Sequence, residues 1–205
     1  MPAHPALALI EQRSATNLFD PAFTLSDEAI ADLVRLATRA PTAYHLQNWR
    51  FHAVRSPEAK ARLRRAAYGQ AKVADAAVTF IVSGLLPDAD LVPARLQPSV
   101  DAGLLPAALV ADWQAGVRKA YEDPRTARDE AIRSATLGAT TLIHAASALD
   151  LATGPMVGFD PKAVAREFDL AEDEVPVMLV AVGRAAPGNW PQKPRRAVAE
   201  LLALH

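Results

Sequence analysis

The chain has 205 residues, and 51% of them are hydrophobic, enough to bury a core and to read as one domain over 1–205. Its 22 basic and 23 acidic residues leave a net charge of −1, which gives no overall attraction to nucleic acid or an anionic membrane, so any anion site must be local. The lack of cysteine excludes disulfides, thiolate metal sites and cysteine nucleophiles. Met1-Pro2-Ala3-His4-Pro5 is not a basic stretch leading into an apolar core, and no apolar run reaches spanning length, so the expectation is a soluble, cytoplasmic protein without a membrane partner.

Residues 5–13 read as a helix, and Ser26-Asp27-Glu28 starts a second with a cap and two acids in its first turn. Ile30, Leu33, Val34 and Ala37 form the buried stripe of that helix. Pro41 disfavours helical geometry at Ala40 and should end it. The run Arg39-Ala40-Pro41-Thr42-Ala43-Tyr44-His45-Leu46-Gln47-Asn48-Trp49-Arg50-Phe51 then packs polar and aromatic groups between a helix and a strand, with backbone amides beyond Pro41 free to bind a ligand. An ordinary connection with Trp49 and Phe51 as core fits the same pattern.

Trp49–Val54 alternates as a half-buried strand, and Ser56-Pro57-Glu58 opens a helix whose inward positions are Leu63 and Ala67. Ala77–Val82 and Val177–Val182, the latter closed by Gly183, are β-rich runs expected to be strands, the first of them central. Residues 85–106 hold four prolines and read as an irregular excursion, part of an irregular and helical stretch over 85–125 expected to line a substrate pocket. Helices follow near 107–121 and over about 124–149; Ala135, Gly138, Ala139, Ala145 and Ala146 on the latter require close packing on a neighbour, on a copy of itself, or inside the core. This order predicts an α+β or α/β fold with a sheet flanked by helices.

None of the five histidines has metal-ligand spacing with another, nucleophile and phosphate-loop signatures are absent, and Glu172-Asp173-Glu174 reads as a solvated connection. Hydrolytic chemistry is therefore not expected, nor is a metal. Arg13 in Gln12-Arg13-Ser14-Ala15-Thr16-Asn17 and the run Lys193-Pro194-Arg195-Arg196 are two compact donor clusters suited to an anion, although each alone also suits a charged surface. Gly154-Pro155-Met156-Val157-Gly158-Phe159-Asp160 is a third feature, read as exposed backbone after a helix that can hydrogen-bond the edge of a ring.

Four segments in this order together resemble the FMN-dependent nitroreductase family: Arg13–Asn17, Ala40–Trp49, Gly154–Phe159 and Lys193–Arg195. The resemblance implies a mixed, mainly antiparallel sheet flanked by helices, with FMN bound at an extended homodimer interface. It makes Arg13, Lys193 and Arg195 phosphate ligands, with Ser14 and Ala15 beside them, and it places Asn17, Gln70 and Lys72 at the pyrimidine end of the flavin. Pro41, Thr42, Ala43, Tyr44, His45 and Gln47 would come from the partner subunit, and Pro155, Met156, Val157 and Gly158 would lie along the dimethylbenzene and N5 side. Many relatives have a basic residue where Asn17 stands, Asn where His45 stands and Pro where Asn48 stands, so Lys72 becomes the main positive charge at the pyrimidine.

The activity implied is reduction of nitroaromatics or quinones by NADPH or NADH in a ping-pong exchange, the flavin carrying the chemistry and no side chain acting catalytically. Leu96, Leu104, Trp113 and Tyr121 are candidate walls for the acceptor. An enal, a short aldehyde acid or free flavin is an alternative acceptor, and a flavin-binding or interaction module without turnover is the alternative class.

Overall fold

The computed structural model describes residues 4–205, so the Met1–Ala3 part of the leader reading lies outside the described residues. Four strands, β1 (Trp49–Val54), β2 (Val78–Leu85), β3 (Ala152–Met156) and β4 (Glu174–Gly183), form one sheet in the order β1-β2-β4-β3. Every neighbouring pair is antiparallel, and the parallel element is the isolated bridge of Ala15 to Thr153 beyond the β3 edge. The fold is α+β, with helices on both faces of this sheet.

The helices are α1 (Pro5–Gln12), α2 (Asp27–Ala37), α3 (Pro57–Ala66), α4 (Lys72–Asp75), α5 (Val92–Asp101), α6 (Ala108–Ala120), α7 (Pro124–Ala148) and α8 (Pro161–Glu167). Their starts follow local chemistry. Ser26 and Ser56 accept from the third amide beyond them, and Asp123 accepts from Thr126 N at 2.9 Å, a bond that holds its carboxyl below the usual range. Strand alternation then divides the core. Ile81, Leu179 and Ala181 face α3 and α8 with Val54, Leu63 and Val164, whereas Val78, Phe80, Val82, Val180 and Val182 face α2 and α7 with Leu33, Ala37 and Leu142.

The alanine-rich helix finds its close neighbour in the sheet. Ala131, Ala135, Ala139 and Ala146 of α7 are buried, and a Cβ at Gly84 of β2 would stand 2.1 Å from the carbonyl oxygen of Ala131. A third cluster lies beyond the end of β2, where Leu46, Val92, Leu96 and Val117 pack with Tyr44, Trp113 and Tyr121.

Several expectations need correction. Residues 85–106 are not irregular, because they contain α5, whose Pro93 sits in the first turn, where no backbone N–H is needed; Pro98 lies inside the helix. The segment read as exposed backbone after a helix contains β3, an edge strand where Pro155 is tolerated. Both longer strands extend past the apolar runs, β2 to Leu85 and β4 back to Glu174. Glu174 is not solvated: its buried carboxylate accepts from Arg50 Nη1 at 2.6 Å and lies 2.8 Å from His52 Nε2, both on β1. Leu96 is core, and Leu104 is 81% exposed on the single protomer. No helix among the described residues is long and apolar enough to cross a membrane.

Candidate cofactor site

The amino-terminal donor cluster is held against the β3 edge. Thr16 N donates to Thr153 O at 2.8 Å, which aligns Arg13, Ser14 and Ala15 along the outside of the sheet. Gly154 makes this approach possible, since a Cβ there would stand 2.5 Å from Thr16 O.

The segment after β4 returns to the same edge, and Asn189 staples the two together. Its Oδ1 accepts from Asn17 N at 2.8 Å and Leu18 N at 3.0 Å, and its Nδ2 donates to Leu18 O and Ala186 O, each at 2.8 Å. Asn189 follows the turn dipeptide Pro187-Gly188, with Gly188 at φ 94°, and that dipeptide was the available sequence signal for this junction. Trp190, with Lys193 Nζ 5.2 Å from its ring centroid, is a further participant that sequence reasoning missed.

The outcome is one pocket of about 130 Å³ whose lining includes Arg13, Ser14, Ala15, Asn17, Lys193 and Arg195. Residues from opposite ends of the chain thus converge, with three cations, a hydroxyl and no carboxylate among the lining groups. That donor set suits a phosphate monoester: point and forked cations neutralise it, and the hydroxyl and backbone complete its hydrogen bonds.

A second polar strip joins this pocket. Lys72 Nζ donates to Asn17 Oδ1 at 3.2 Å, and Gln70 Nε2 donates to Gly158 O at 2.7 Å, so Asn17, Lys72, Gln70 and Gly158 connect the phosphate-type pocket with the end of β3. Burial pulls the Lys72 ammonium below its ordinary pKa. Met156 is turned into the core with Phe159, so only its backbone can face a ligand, whereas Val157 is exposed and Pro155 half-buried.

The Pro41–Gln47 loop stands elsewhere. Its start of β1 pairs with Gly84, which pairs with Val175 at the opening of β4, while Thr153 pairs with Val182, which pairs with Val78 at the opening of β2. The loop and the Arg13 pocket are therefore at diagonal corners, separated by about 20 Å along the strands and about 14 Å across them.

Within the loop, Tyr44, His45 and Gln47 take φ of 49°, 52° and 46°, a left-handed geometry that costs non-glycine residues energy and that tertiary contacts must hold. Gln47 N donates to Thr42 Oγ1 at 3.0 Å, the side chains of Gln47 and His45 lie 2.9 Å apart, and Leu46 is wholly buried. The amides of His45, Leu46 and Gln47 are thus already bonded within the loop, so the expectation that amides beyond Pro41 stand free does not hold for these three. Asn48 is structural: its Nδ2 donates to Leu85 O and its backbone carbonyl accepts from Leu85 N, both at 2.9 Å.

Tyr44 is anchored edge-on by Trp113 at 6.1 Å and Tyr121 at 6.5 Å between ring centroids. Burial, with the carboxylate of Glu130 alongside, pushes the Tyr121 phenol up to about 12. Because the folded value lies above the ordinary value of about 10, folding favours the neutral phenol, and its contribution is complete below pH 10 and lost as pH rises through 12. Urea melts at pH 9 and pH 11.5 should lose less stability between the two conditions in Tyr121→Phe than in the wild type. Equal losses would remove Tyr121 from this role.

The family model described as Nitroreductase family matches residues 10–184. The chain belongs to the nitroreductase family. The matched segment holds Arg13–Asn17, the Pro41–Gln47 loop and Pro155–Gly158 but stops before Lys193 and Arg195, which the fold brings to the pocket of Arg13.

YodC of Bacillus subtilis, whose provisional name is NAD(P)H nitroreductase, is 31% identical over 184 residues, covering 87% of this chain and 89% of its own. A Thermus thermophilus protein named NADH dehydrogenase is 32% identical over 166 residues, covering 79% and 78%. An Exiguobacterium sibiricum protein, provisionally described as a nitroreductase and solved in complex with FMN, superposes with a TM-score of 0.90 at 24% identity, over 100% of this nitroreductase-family chain and 99% of its own.

Proposed function

We propose that this nitroreductase-family chain is an FMN-dependent oxidoreductase that draws electrons from NADPH or NADH and reduces small electron-poor acceptors, nitroaromatics and quinones, as a homodimer. The observation that carries the reading is the convergence of Arg13, Ser14, Lys193 and Arg195 on one carboxylate-free pocket. FMN, when bound, supplies the two-electron chemistry between donor and acceptor.

The protein's part is to bind and orient. Arg13, Lys193 and Arg195 hold the phosphate, with Ser14 and Ala15 completing its hydrogen bonds. Asn17, Lys72 and Gln70 face the pyrimidine end, where Lys72 opposes negative charge at its edge. The backbone of Pro155, Met156, Val157 and Gly158 follows the other side of the ring.

Pro41, Thr42, Ala43, Tyr44, His45 and Gln47 belong to the same cofactor site only through a second copy of the chain. The diagonal placement of the loop keeps it from its own Arg13 pocket, and a two-fold axis would bring the loop of one protomer to the pocket of its partner. Lys72 and Asn17 then set the charge at the pyrimidine in place of the basic residue many relatives carry at the Asn17 position.

Titration of the purified protein with FMN, followed by flavin fluorescence, tests the reading. Arg195→Ala is expected to weaken binding by about 1.5–3 kcal/mol, the range for a hydrogen bond to a charged group. Sedimentation of the FMN-loaded protein is expected to give a dimer. Unchanged affinity in the variant would overturn the phosphate assignment, and an FMN-loaded monomer would overturn the shared site. Flavin that bleaches with NADPH or NADH and recovers with a quinone supports turnover; a flavin that does not bleach leaves a binding module.

A further inference from the structure

A separate concave groove lies along α3, outside the residues assigned to FMN. It has a volume of about 610 Å³ and is lined by Arg55, Lys60, Arg64 and Arg65 together with Pro21 and Gly69, with no carboxylate among its lining residues. In a chain of net charge −1, four cations around one cavity are a local concentration, not a consequence of composition.

The arrangement follows from helical spacing. Lys60 and Arg64, and Ala61 and Arg65, are each four apart and fall on one face of α3, while Leu63 and Ala66 are buried on the other. Ala61 is small and leaves the volume between the longer side chains open. The groups differ in how far they are engaged. Arg55 pairs with Asp27, and Lys60 donates to Ala76 O. Arg64 uses Nε on Gly69 O at 3.0 Å and keeps its two terminal nitrogens, and Arg65 enters none of the ion pairs among the described residues. Two guanidinium forks are therefore available to phosphoryl oxygens.

The groove adjoins the cofactor site along the chain at two points. Gly69 of its lining precedes Gln70, which holds Gly158, and Ala74 of its lining shares the single turn of α4 with Lys72, which holds Asn17. Its volume falls within the range of about 300–1,000 Å³ for small-molecule sites.

We propose that this groove is a second phosphate site, which takes the phosphate-bearing arm of the nicotinamide donor, the 2′-phosphate of NADPH included, with Arg64 and Arg65 as its forked ligands. The assignment to the donor rests on the flavin reading above; the assignment to a phosphoryl ligand does not. A free polyphosphate offers the same chemistry, and the two sources are separable.

Isothermal titration of the full chain with adenosine 2′,5′-bisphosphate and with inorganic pyrophosphate, at low and high salt, is compared between wild type and R64A/R65A, with thermal melts to verify folding. Steady-state kinetics of the FMN-loaded proteins with NADPH and NADH accompany it. The wild type should bind both probes, more weakly in high salt, and the double variant should bind them at least about tenfold more weakly, with kcat/KM for NADPH falling by a similar factor and that for NADH falling less. R64K/R65K, which keeps the charges and loses the forks, should fall between them.

Probe binding equal in wild type and R64A/R65A would overturn the site. Loss of probe binding with unchanged NADPH kinetics would overturn the donor assignment in favour of a free phosphorylated ligand. The probe titrations are repeated in an Arg195→Ala background, which weakens the phosphate-type pocket around Arg13 as a competing site; they need no flavin, so a protein that takes up no FMN sinks the flavin reading while the titrations still decide the groove.

Discussion

Gly84→Ala is expected to destabilise the protein by about 3 kcal/mol or more, lowering the melting temperature by about 6–12 °C. The added methyl would stand 2.1 Å from the carbonyl oxygen and 2.4 Å from the carbonyl carbon of Ala131, both backbone atoms of α7. A flexible side chain could swing away, but a helix backbone can yield only by moving as a unit. α7 cannot do that cheaply, because Ala131, Ala135, Ala139, Leu142 and Ala146 are all buried along its length. Differential scanning calorimetry of the variant checks this, and a melting temperature within a degree of wild type would mean that α7 is not seated on β2 as described.

Gly154→Ala is expected to act on both stability and the cofactor pocket. Its Cβ would lie 2.5 Å from Thr16 O, again a backbone atom, and relief requires the 13–17 segment to leave the β3 edge. That movement breaks the bond from Thr16 N to Thr153 O and carries Arg13, Ser14 and Asn17 away from Lys193 and Arg195. The cost is about 2 kcal/mol of stability together with a loss of FMN affinity of about tenfold or more. Urea unfolding and flavin titration on the same preparation measure both. A destabilised variant with undiminished FMN affinity would separate the pocket from the edge pairing.

The two glycines show where local reasoning stops. Gly84 lies beyond the apolar run read as a strand, and Gly154 lies in a segment read as exposed backbone, yet each is small because of a backbone far away in sequence. Neither Ala131 nor Thr16 has any sequence relation to its glycine. Glu174 is a similar case. Within Glu172-Asp173-Glu174 it looks like its solvated neighbours, and it is buried because antiparallel pairing of β1, β2 and β4 sets it near Arg50 and His52. Pro98 misled in the opposite direction, since α5 accommodates a proline that local rules read as a helix breaker.

The sequence by itself determined the helix starts at Ser26 and Ser56, three of the four strands and the long alanine-rich helix, because each depends on residues within a turn or two of one another. It also named the donor groups, and four ordered segments were enough to identify the family. The tertiary structure alone decided that Arg13 and Arg195 share a pocket, that Asn189 staples its walls, that the Pro41–Gln47 loop lies at the opposite corner, and that α3 faces its cations into one groove. Those outcomes depend on which distant strands pair and in what register. Side-chain chemistry is local in the chain, whereas convergence and burial are properties of the packed sheet.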